Sequence, residues 1–402
     1  MKSAYATISP ATRRSVLLLS FATFASMTVQ RLCDPMLPAL SREFDVSLAQ
    51  AARVVSVFAV VYGLAQLIYG PLGDRFGKFR VITLATLGCS LGCLAAALAT
   101  SLDSLVWARI LMALAGAAVI PMSLAWIGDA VDYELRQETL ARVGLGTTMG
   151  VAAGQLLGGL FTDMLSWRAG FGFMMVLFGG VGLLLLAELR RQQAASTAPA
   201  APPAAGGGFA RQARGLLRDR WTRTVLTVSV LEGAAAFGVV AICASHLHHQ
   251  LGVSLAMAGS VMALFGIGGM LYMAIAGRMI RRFGEHGLAF WGGALLALSE
   301  LVIAFTPFWI LAVPASLLAG FGFFMFHNTV QVNATQMAPQ ARGVGVAMFA
   351  AFLFMGQSLG VLALAGLVDY IGTSYVIALG AMVMLSLGAW FAYGLQRRHA
   401  LS

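Results

Sequence analysis

The sequence predicts an all-α membrane protein in which twelve transmembrane helices form two pseudo-symmetric six-helix bundles. Of the 402 residues, 59% are hydrophobic and only 10% are charged, whereas a soluble domain carries about 25% charged residues. Apolar runs of about 20 residues, the length that a helix needs to cross a bilayer, recur along the chain. Short motifs of the first half return in the same order in the second half, which predicts the two bundles.

The apolar runs define the predicted spans and their grouping. A stretch rich in Ala, Pro and Gly, 194–208, is followed by a basic segment and divides the chain into halves of similar length; this composition is typical of a flexible linker. We therefore expect an N-terminal bundle over 1–189, a cytoplasmic linker over 190–221 and a C-terminal bundle over 222–402. The predicted spans are 15–38, 50–69, 81–99, 104–127, 143–163, 167–187, 222–244, 256–276, 287–305, 309–331, 343–367 and 374–395.

Positive charge predicts the orientation of these spans. Most of the 26 Lys and Arg residues fall in segments that one topology places on a single side, and cationic loops are retained in the cytoplasm. We expect both termini in the cytoplasm, a multi-pass protein of the inner (cytoplasmic) membrane and no cleavable signal peptide. The net charge of +10 then reflects orientation and gives no reason to expect a nucleic acid as partner.

Span 1 is the least lipid-like of the twelve. Arg31 and Asp34 lie nearly one helical turn apart and share a face, and Pro35 and Pro38 follow them. A charged side chain within a bilayer costs about 2.5 to 3.5 kcal/mol, so such residues are functional candidates. We expect Asp34 to bind and release a proton, with Arg31 setting when it does so. The alternative is a static pair that neutralises both charges.

Span 2 adds Tyr62 and Gln66, one turn apart, as a polar stripe on an apolar helix. The loop that follows is rich in glycine and cationic, so we expect the chain to turn sharply there on the cytoplasmic side. In the inward-closed state we expect the one acid of this loop to face the start of span 11, around Arg342 and Gly343, or to pair with a basic residue. The loop residues of interest are Gly70, Gly73, Asp74, Arg75, Gly77, Lys78 and Arg80.

This loop resembles the motif between helices 2 and 3 of the major facilitator superfamily, written G-x-L-a-D-r-x-G-r-k-x-[RK], with Gly73 at the usual alanine. The Asp-x-x-Leu-Pro-Ala-Leu run that begins at Asp34 is similar to helix 1 of the bicyclomycin-type drug exporters of that superfamily. Span 4 opens with Arg109, near which family members also carry an arginine. The resemblance implies the major facilitator fold, a gating role for the loop and proton coupling through Asp34 in a drug:proton antiporter.

Span 5 carries small residues four apart, a spacing that lets two helix backbones touch. The stretch is similar to the antiporter motif G-x-x-x-G-P-x-x-G-G of the superfamily, with Gln155 in place of the proline. The resemblance implies a hinge between the two bundle halves and transport in the export direction. The motif glycines are Gly150, Gly154, Gly158 and Gly159.

The second half repeats these features. The spacing from Gly277 to Gly284 matches that from Gly70 to Gly77, and Gly356-Gln357 on span 11 matches Gly154-Gln155 on span 5. Parallel repeats of this kind place a substrate site at their interface near the bilayer midplane.

Glu232 on span 7 is the second proton-coupling candidate, with a local structural hydrogen bond as the alternative. We expect Gln155 and Gln357 to face each other across the cavity. For each predicted cavity residue the alternative is ordinary packing between helices. The predicted cavity residues are Tyr62, Gln66, Trp126, Gln155, Phe237, Asn328 and Gln357.

Together these features favour a proton-coupled secondary active transporter that exports a small organic compound or drug by alternating access. We expect a monomer whose partners are its substrate, protons and the lipid bilayer. The sequence contains no nucleotide-binding G-x-x-x-x-G-K-[ST] run and no metal-spaced or catalytic cluster, so we expect no enzyme activity, cofactor or metal. Two alternatives stay open: a proton-coupled importer of a metabolite such as a sugar, organic acid or siderophore, and a non-transporting membrane sensor.

Overall fold

The computed structural model describes residues 9–195, 209–337 and 342–401, and all regular structure in these ranges is helical. Part of the predicted linker, 196–208, lies outside the described residues. The helices are α1 (Pro10–Arg31), α2 (Leu37–Glu43), α3 (Leu48–Ala51), α4 (Arg53–Phe76), α5 (Lys78–Ala97), α6 (Leu102–Gly116), α7 (Val119–Ala130), α8 (Tyr133–Met164), α9 (Trp167–Ala195), α10 (Phe209–Leu216), α11 (Arg220–Glu232), α12 (Gly238–Leu251), α13 (Leu255–Phe305), α14 (Trp309–Gln336) and α15 (Arg342–Leu401).

Within the described ranges, ten helical segments are long and apolar enough to cross a membrane. Two of them are much longer than one crossing requires: α13 has 51 residues and α15 has 60. Each contains one glycine with a positive φ, Gly284 (64°) in α13 and Gly372 (79°) in α15. Because L-residues with side chains rarely adopt this backbone conformation, these are the points at which each long helix is interrupted.

Packing contacts show that α13 folds back on itself at Gly284. A Cβ on Gly268, before the interruption, would lie 2.8 Å from the backbone nitrogen of Phe321. A Cβ on Gly292, after the interruption, would lie 2.9 Å from the carbonyl oxygen of Gly322. Both halves of α13 therefore pack against the same stretch of α14, which a straight 51-residue helix could not do.

The longest helix, α15, reverses in the same way. Gly356, before Gly372, approaches the backbone of Val230, and Gly380, after it, approaches the side chain of Val239. Val230 lies on α11 and Val239 on α12. The two arms of α15 therefore pack on this pair of consecutive helices, one before Gly372 and one after it.

Span 1, predicted over 15–38, is broken into two helices. Helix α1 ends at Arg31, a 3₁₀ turn covers Asp34–Met36, and α2 begins at Leu37. Pro35 has no N–H to donate to the carbonyl of Arg31, and a proline ring clashes with the preceding helical turn. The prediction missed this break although Pro35 is its sequence signal.

The loop after span 2 also differs from its prediction. Helix α4 continues through Gly70 and Pro71 to Phe76, and the chain reverses at Gly77, whose φ is 88°. The expected sharp turn is therefore present, but at Gly77 alone, because a single residue of positive φ is enough to end one helix and begin the next.

The two halves of the chain meet closely at one end of the helices. We call the end at which α1 begins the terminal end and the opposite end the distal end. Near the distal end the hydroxyls of Ser56 and Ser358 lie 2.8 Å apart. Farther toward that end, the N–H of Ala256 donates to the Asp163 carboxylate at 3.2 Å. These contacts join α4 to α15 and α8 to α13.

Candidate functional site

The break in span 1 places a carboxyl group inside the protein. Asp34 is the first residue of the 3₁₀ turn and is fully buried. Its Oδ2 accepts a hydrogen bond of 2.8 Å from Nε2 of Gln155 on α8. Its Oδ1 has no protein partner. One oxygen of a buried acid is thus held by a neutral donor, while the other is unsatisfied, an arrangement that costs free energy in an apolar interior.

Arg31, the last residue of α1, supplies the counter-charge for this acid. Its Nη1 lies 3.8 Å from Oδ2 of Asp34, and both side chains are buried. At this distance the pair attracts through charge and has no direct hydrogen bond. Arg31 Nε and Nη1 have no hydrogen-bond partner in the protein. The sequence correctly predicted that Arg31 and Asp34 share a face, but it did not predict Gln155 as the closer partner.

An aromatic residue of the second half of the chain packs against Arg31. The Arg31 guanidinium lies 4.0 Å from the centre of the Phe237 ring, a cation–π contact that is strengthened when desolvated. Phe237 is the last residue of a five-residue π-helical segment, Gly233–Phe237, between α11 and α12. Such segments in α-helices are frequent at functional sites. One cluster, Asp34, Arg31, Gln155 and Phe237, therefore joins irregular backbone from both halves; we call it the carboxylate cluster.

A second acid lies at the start of the same π-helical segment. Glu232 is fully buried, and its Oε1 lies 2.8 Å from Nδ1 of His327 on α14. Its Oε2 has no protein partner. The His327 ring stacks on Phe323 at 5.2 Å between centroids. Sequence reasoning proposed Glu232 but missed His327, whose signal was a single imidazole in an apolar span, a residue type that is rare there and commonly functional.

A buried arginine fixes the packing around span 1. Arg109 on α6 donates from Nε to the carbonyl of Val54 at 3.0 Å and from Nη1 to that of Val29 at 2.9 Å. Its guanidinium also lies 4.0 Å from the centre of the Phe58 ring. One side chain thus ties α6 to α4 and α1. Sequence reasoning noted Arg109 but gave it no place in the site.

The other predicted cavity residues are dispersed. Tyr62 is buried and packs its ring against Phe354 of the second half, with 4.8 Å between centroids. Gln66, one turn farther along, is half-buried. Gln357 is buried, its Oε1 lacks a protein partner, and its backbone nitrogen lies close to Gly233. The amide of Gln155 donates to Asp34, and the expectation that Gln155 and Gln357 face each other across the cavity stays a prediction.

Two predicted cavity residues lie elsewhere. Trp126 packs on Phe79, with 5.4 Å between ring centroids, in the hydrophobic cluster at the terminal end of the first half. This contact is with a neighbouring helix of the same half, and the role of Trp126 as a cavity residue stays a prediction. Asn328 lies beside the Tyr272 hydroxyl on α13. Neither residue contacts the carboxylate cluster.

The glycine-rich loop forms its ion pairs within the first half. Lys78 bonds to the Asp129 carboxylate on α7 and lies 3.9 Å from Asp74. Arg75 covers the ring of Phe76, and Gly73 lies against Met122. The Asp74 side chain is 57% exposed, and its ion-pair partner is the basic residue Lys78, one of the two arrangements expected for it. The remaining loop residues, Gly70 and Arg80, are exposed.

The glycines of span 5 form a backbone contact between helices. A Cβ on Gly150 would lie 2.5 Å from the carbonyl oxygen of Phe24, and one on Gly154 would lie 2.5 Å from that of Thr28. Gly158 approaches Leu32 in the same way, so three of the four face α1 of their own half. Only Gly159 faces the second half, at Leu255 on α13. Direct backbone contact is the reason for the small residues.

The net charge of the site depends on whether Asp34 carries a proton. In the described parts of the chain no group of three or more His, Cys, Asp or Glu side chains is placed to bind a metal ion. Protonation of Asp34 would remove its attraction to Arg31 and leave the arginine facing Phe237 alone. The arrangement can therefore couple a proton to the contact between the two halves.

Comparisons with known proteins give the same picture at the level of family and fold. The inner membrane transport protein YnfM of Escherichia coli is 26% identical over 40% of this chain and 38% of its own length. The probable multidrug resistance protein EmrY of the same organism is 29% identical over 37% of this chain and 29% of its own. The chain thus spans about a third of the length of these relatives. The crystal structure of the nucleoside transporter NupG superposes with a TM-score of 0.75 at 16% identity, covering 95% of this chain and 98% of NupG.

The family model described as Major Facilitator Superfamily matches residues 19–361 and, in a second match, 244–401. The two matches together include all helices from α2 to α15 and most of α1. The sequence motifs, the helical architecture and this match therefore agree, and the chain belongs to the major facilitator superfamily.

Proposed function

We propose that this protein is a proton-coupled secondary active transporter that exports a small organic compound by alternating access. The observation that carries the proposal is the carboxylate cluster, in which a buried acid with one unsatisfied oxygen is charge-paired to an arginine that contacts the opposite half. A buried ionisable group inside a membrane protein is costly and marks an ion or substrate pathway by default.

The mechanism follows from the charges of the cluster. With Asp34 ionised, Arg31 is held between the carboxylate on its own half and Phe237 on the other. When a proton binds Asp34, the electrostatic attraction disappears and the guanidinium becomes available to a different partner. Because the Arg31 side chain contacts both halves, its change of partner biases the equilibrium between the conformation that opens to one side of the membrane and the conformation that opens to the other.

The Glu232–His327 pair is another ionisable site, and it lies in the second half of the chain. A carboxylate and an imidazole in direct contact can share one proton, and both groups lie beside the π-helical segment that carries Phe237. We infer that this pair takes part in proton coupling together with the carboxylate cluster, as the sequence predicted for Glu232 alone.

The proposed topology counts α13 and α15 as two crossings each, which gives twelve spans. A 51-residue helix would be about 75 Å long at 1.5 Å per residue, more than twice the bilayer core. The terminal end then lies in the cytoplasm, because the basic loops fall there, and the protein acts as a monomer of the inner membrane. The two bundles are 1–189 and 222–402, with 190–221 as the linker.

The export direction and substrate class rest on resemblance and on charge. EmrY, whose name denotes multidrug resistance, supports export, and the span 5 glycine motif supports antiport. The buried acids and the aromatic rings near them, Phe237 and Phe323, favour an amphipathic or cationic compound. The rival function is proton-coupled import of a metabolite; NupG, named as a nucleoside transporter, has the same fold, but at this identity the likeness concerns fold alone.

Inverted membrane vesicles separate export from import. A thermal-stability screen of drugs, sugars, organic acids and siderophores first identifies a compound that binds the purified protein. An exporter that works by antiport then concentrates this compound inside inverted vesicles when their lumen is acidified. Accumulation only with the opposite gradient would favour import, and binding without any flux that depends on ΔpH would favour a sensor.

A further inference from the structure

A cavity far from the carboxylate cluster opens at the terminal end of the second half. It has a volume of about 460 Å³ and lies between the part of α13 after Gly284 and the part of α15 after Gly372. These two segments are in backbone contact at Gly293 and Gly388, where a Cβ on Gly293 would lie 3.0 Å from Cα of Gly388. The cavity begins about one turn closer to the terminal end, where small residues, Gly287 and Ala389, widen the space between the helices.

The rim of this cavity is positively charged. Arg282 and His286 line it from α13, and both side chains are exposed. On the α15 side, Arg397 covers the ring of the lining residue Tyr393, with 4.5 Å between Cζ and the ring centre. The nearest acid in sequence, Glu285, accepts a hydrogen bond of 3.3 Å from Asn333 on α14. Glu285 does not line the cavity.

One wall of the cavity is aromatic and is exposed on the side that faces the membrane. Trp291 is 54% exposed, Tyr393 51% and Phe290 37%, and all three line the cavity. Trp and Tyr at this level are typical of the interface between hydrocarbon and headgroups. A cationic rim next to an aromatic wall that faces the lipid fits a molecule with an anionic head and an apolar tail.

We propose that this cavity is a binding site for an anionic glycerophospholipid of the surrounding leaflet. The phosphate would lie against Arg282 and His286, Gln396 would be available as a hydrogen-bond donor, and the acyl chains would extend along Trp291 and Phe290. Basic pockets between transmembrane helices on the cytoplasmic side are known to bind lipid head groups. The leaflet assignment rests on the orientation proposed above, whereas the binding itself does not.

The test compares lipids and two neighbouring arginines in the purified full chain. Native mass spectrometry counts bound lipids, and thermal unfolding in detergent measures stabilisation, with phosphatidylglycerol as the anionic probe and phosphatidylcholine as the zwitterionic control. The variant Arg282→Gln removes a cavity charge. The matched control Arg281→Gln removes an adjacent charge that does not line the cavity and whose Nη1 folds back toward Gly277.

We expect phosphatidylglycerol to bind and to raise Tm more than phosphatidylcholine does. Arg282→Gln should weaken its binding about fivefold, the contribution of one arginine at an anionic membrane surface, while Arg281→Gln should not. Ala389→Leu, which fills the cavity from an exposed position, should weaken it as well. Equal effects of the two lipids or of the two arginine variants would overturn the proposal. So would binding of inorganic phosphate with the same dependence on Arg282, because the site would then recognise a soluble anion.

Discussion

Substitution of Gly154 by alanine tests the backbone contact that positions the carboxylate cluster. An added Cβ would lie 2.5 Å from the carbonyl oxygen of Thr28 and 2.7 Å from Cβ of Arg31. Non-bonded heavy atoms prefer about 3.5 to 4.0 Å, so α1 and α8 must separate locally by about 1 Å. Overpacking of this kind costs about 1 to 3 kcal/mol. The same shift moves Arg31 and Gln155 relative to each other.

A matched variant removes the intrinsic effect of the substitution. Replacing glycine by alanine within a helix contributes about 0.5 to 1 kcal/mol of stability by itself. Gly180 on α9 has no atom within 4 Å of its Cβ position, so Gly180→Ala should show this gain alone. The difference between the two variants then equals the cost of overpacking.

The assay is unfolding of the two purified variants and the parent protein in detergent. We expect Gly154→Ala to have a lower apparent Tm than the parent and Gly180→Ala to have an equal or higher one, together with reduced ΔpH-driven transport for Gly154→Ala only. If both variants shifted Tm by the same amount, α1 and α8 would not be in backbone contact at Gly154 and the reasoning would be refuted.

Three further predictions concern the buried polar groups. Gln155→Leu should lower the free energy of unfolding by about 1.5 to 3 kcal/mol, the value of a hydrogen bond to a charged group. In a double-mutant cycle with Asp34→Asn, the two losses should not be additive. Additive losses would contradict the hydrogen bond. His327→Leu should lower the Tm of the protein more than the double variant Glu232→Gln/His327→Leu does, because the single change leaves a buried carboxylate unpaired. A double variant with an equally low Tm would contradict the pair. The four cysteines are free and buried, so a membrane-permeant maleimide should label them only after the protein unfolds; rapid labelling of the folded state would contradict that burial.

The architecture could be predicted from the sequence because the bilayer imposes it. Every backbone polar group in hydrocarbon must be satisfied within the segment, so long apolar runs become helices, and the observed helices overlap the predicted spans throughout the described residues. The irregular segments were harder to predict. The π-helical turn at Gly233–Phe237 has no proline to mark it and packs against the backbone of α15 at Leu353 and Gly360.

The site was predicted only where its signal is local. Arg31 and Asp34 could be paired because they are separated by three residues in one helix. The partners of the two buried acids could not be found in this way, since Gln155 and His327 lie 121 and 95 residues from them in the sequence. Trp126 shows how weak the signal of a single residue type is, since an aromatic residue in a span is compatible both with a cavity and with packing against a neighbouring helix.

The central claim is that Asp34 carries the coupled proton, and uphill transport by Asp34→Asn tests it most directly. The variant is reconstituted in liposomes with Asp103→Asn as control, since that carboxylate is 76% exposed and pairs with Arg53. The account predicts that Asp34→Asn still exchanges the compound identified by the stability screen down its own gradient but no longer concentrates it in response to ΔpH, while Asp103→Asn does both. Uphill accumulation by Asp34→Asn at the rate of the parent protein would contradict the account.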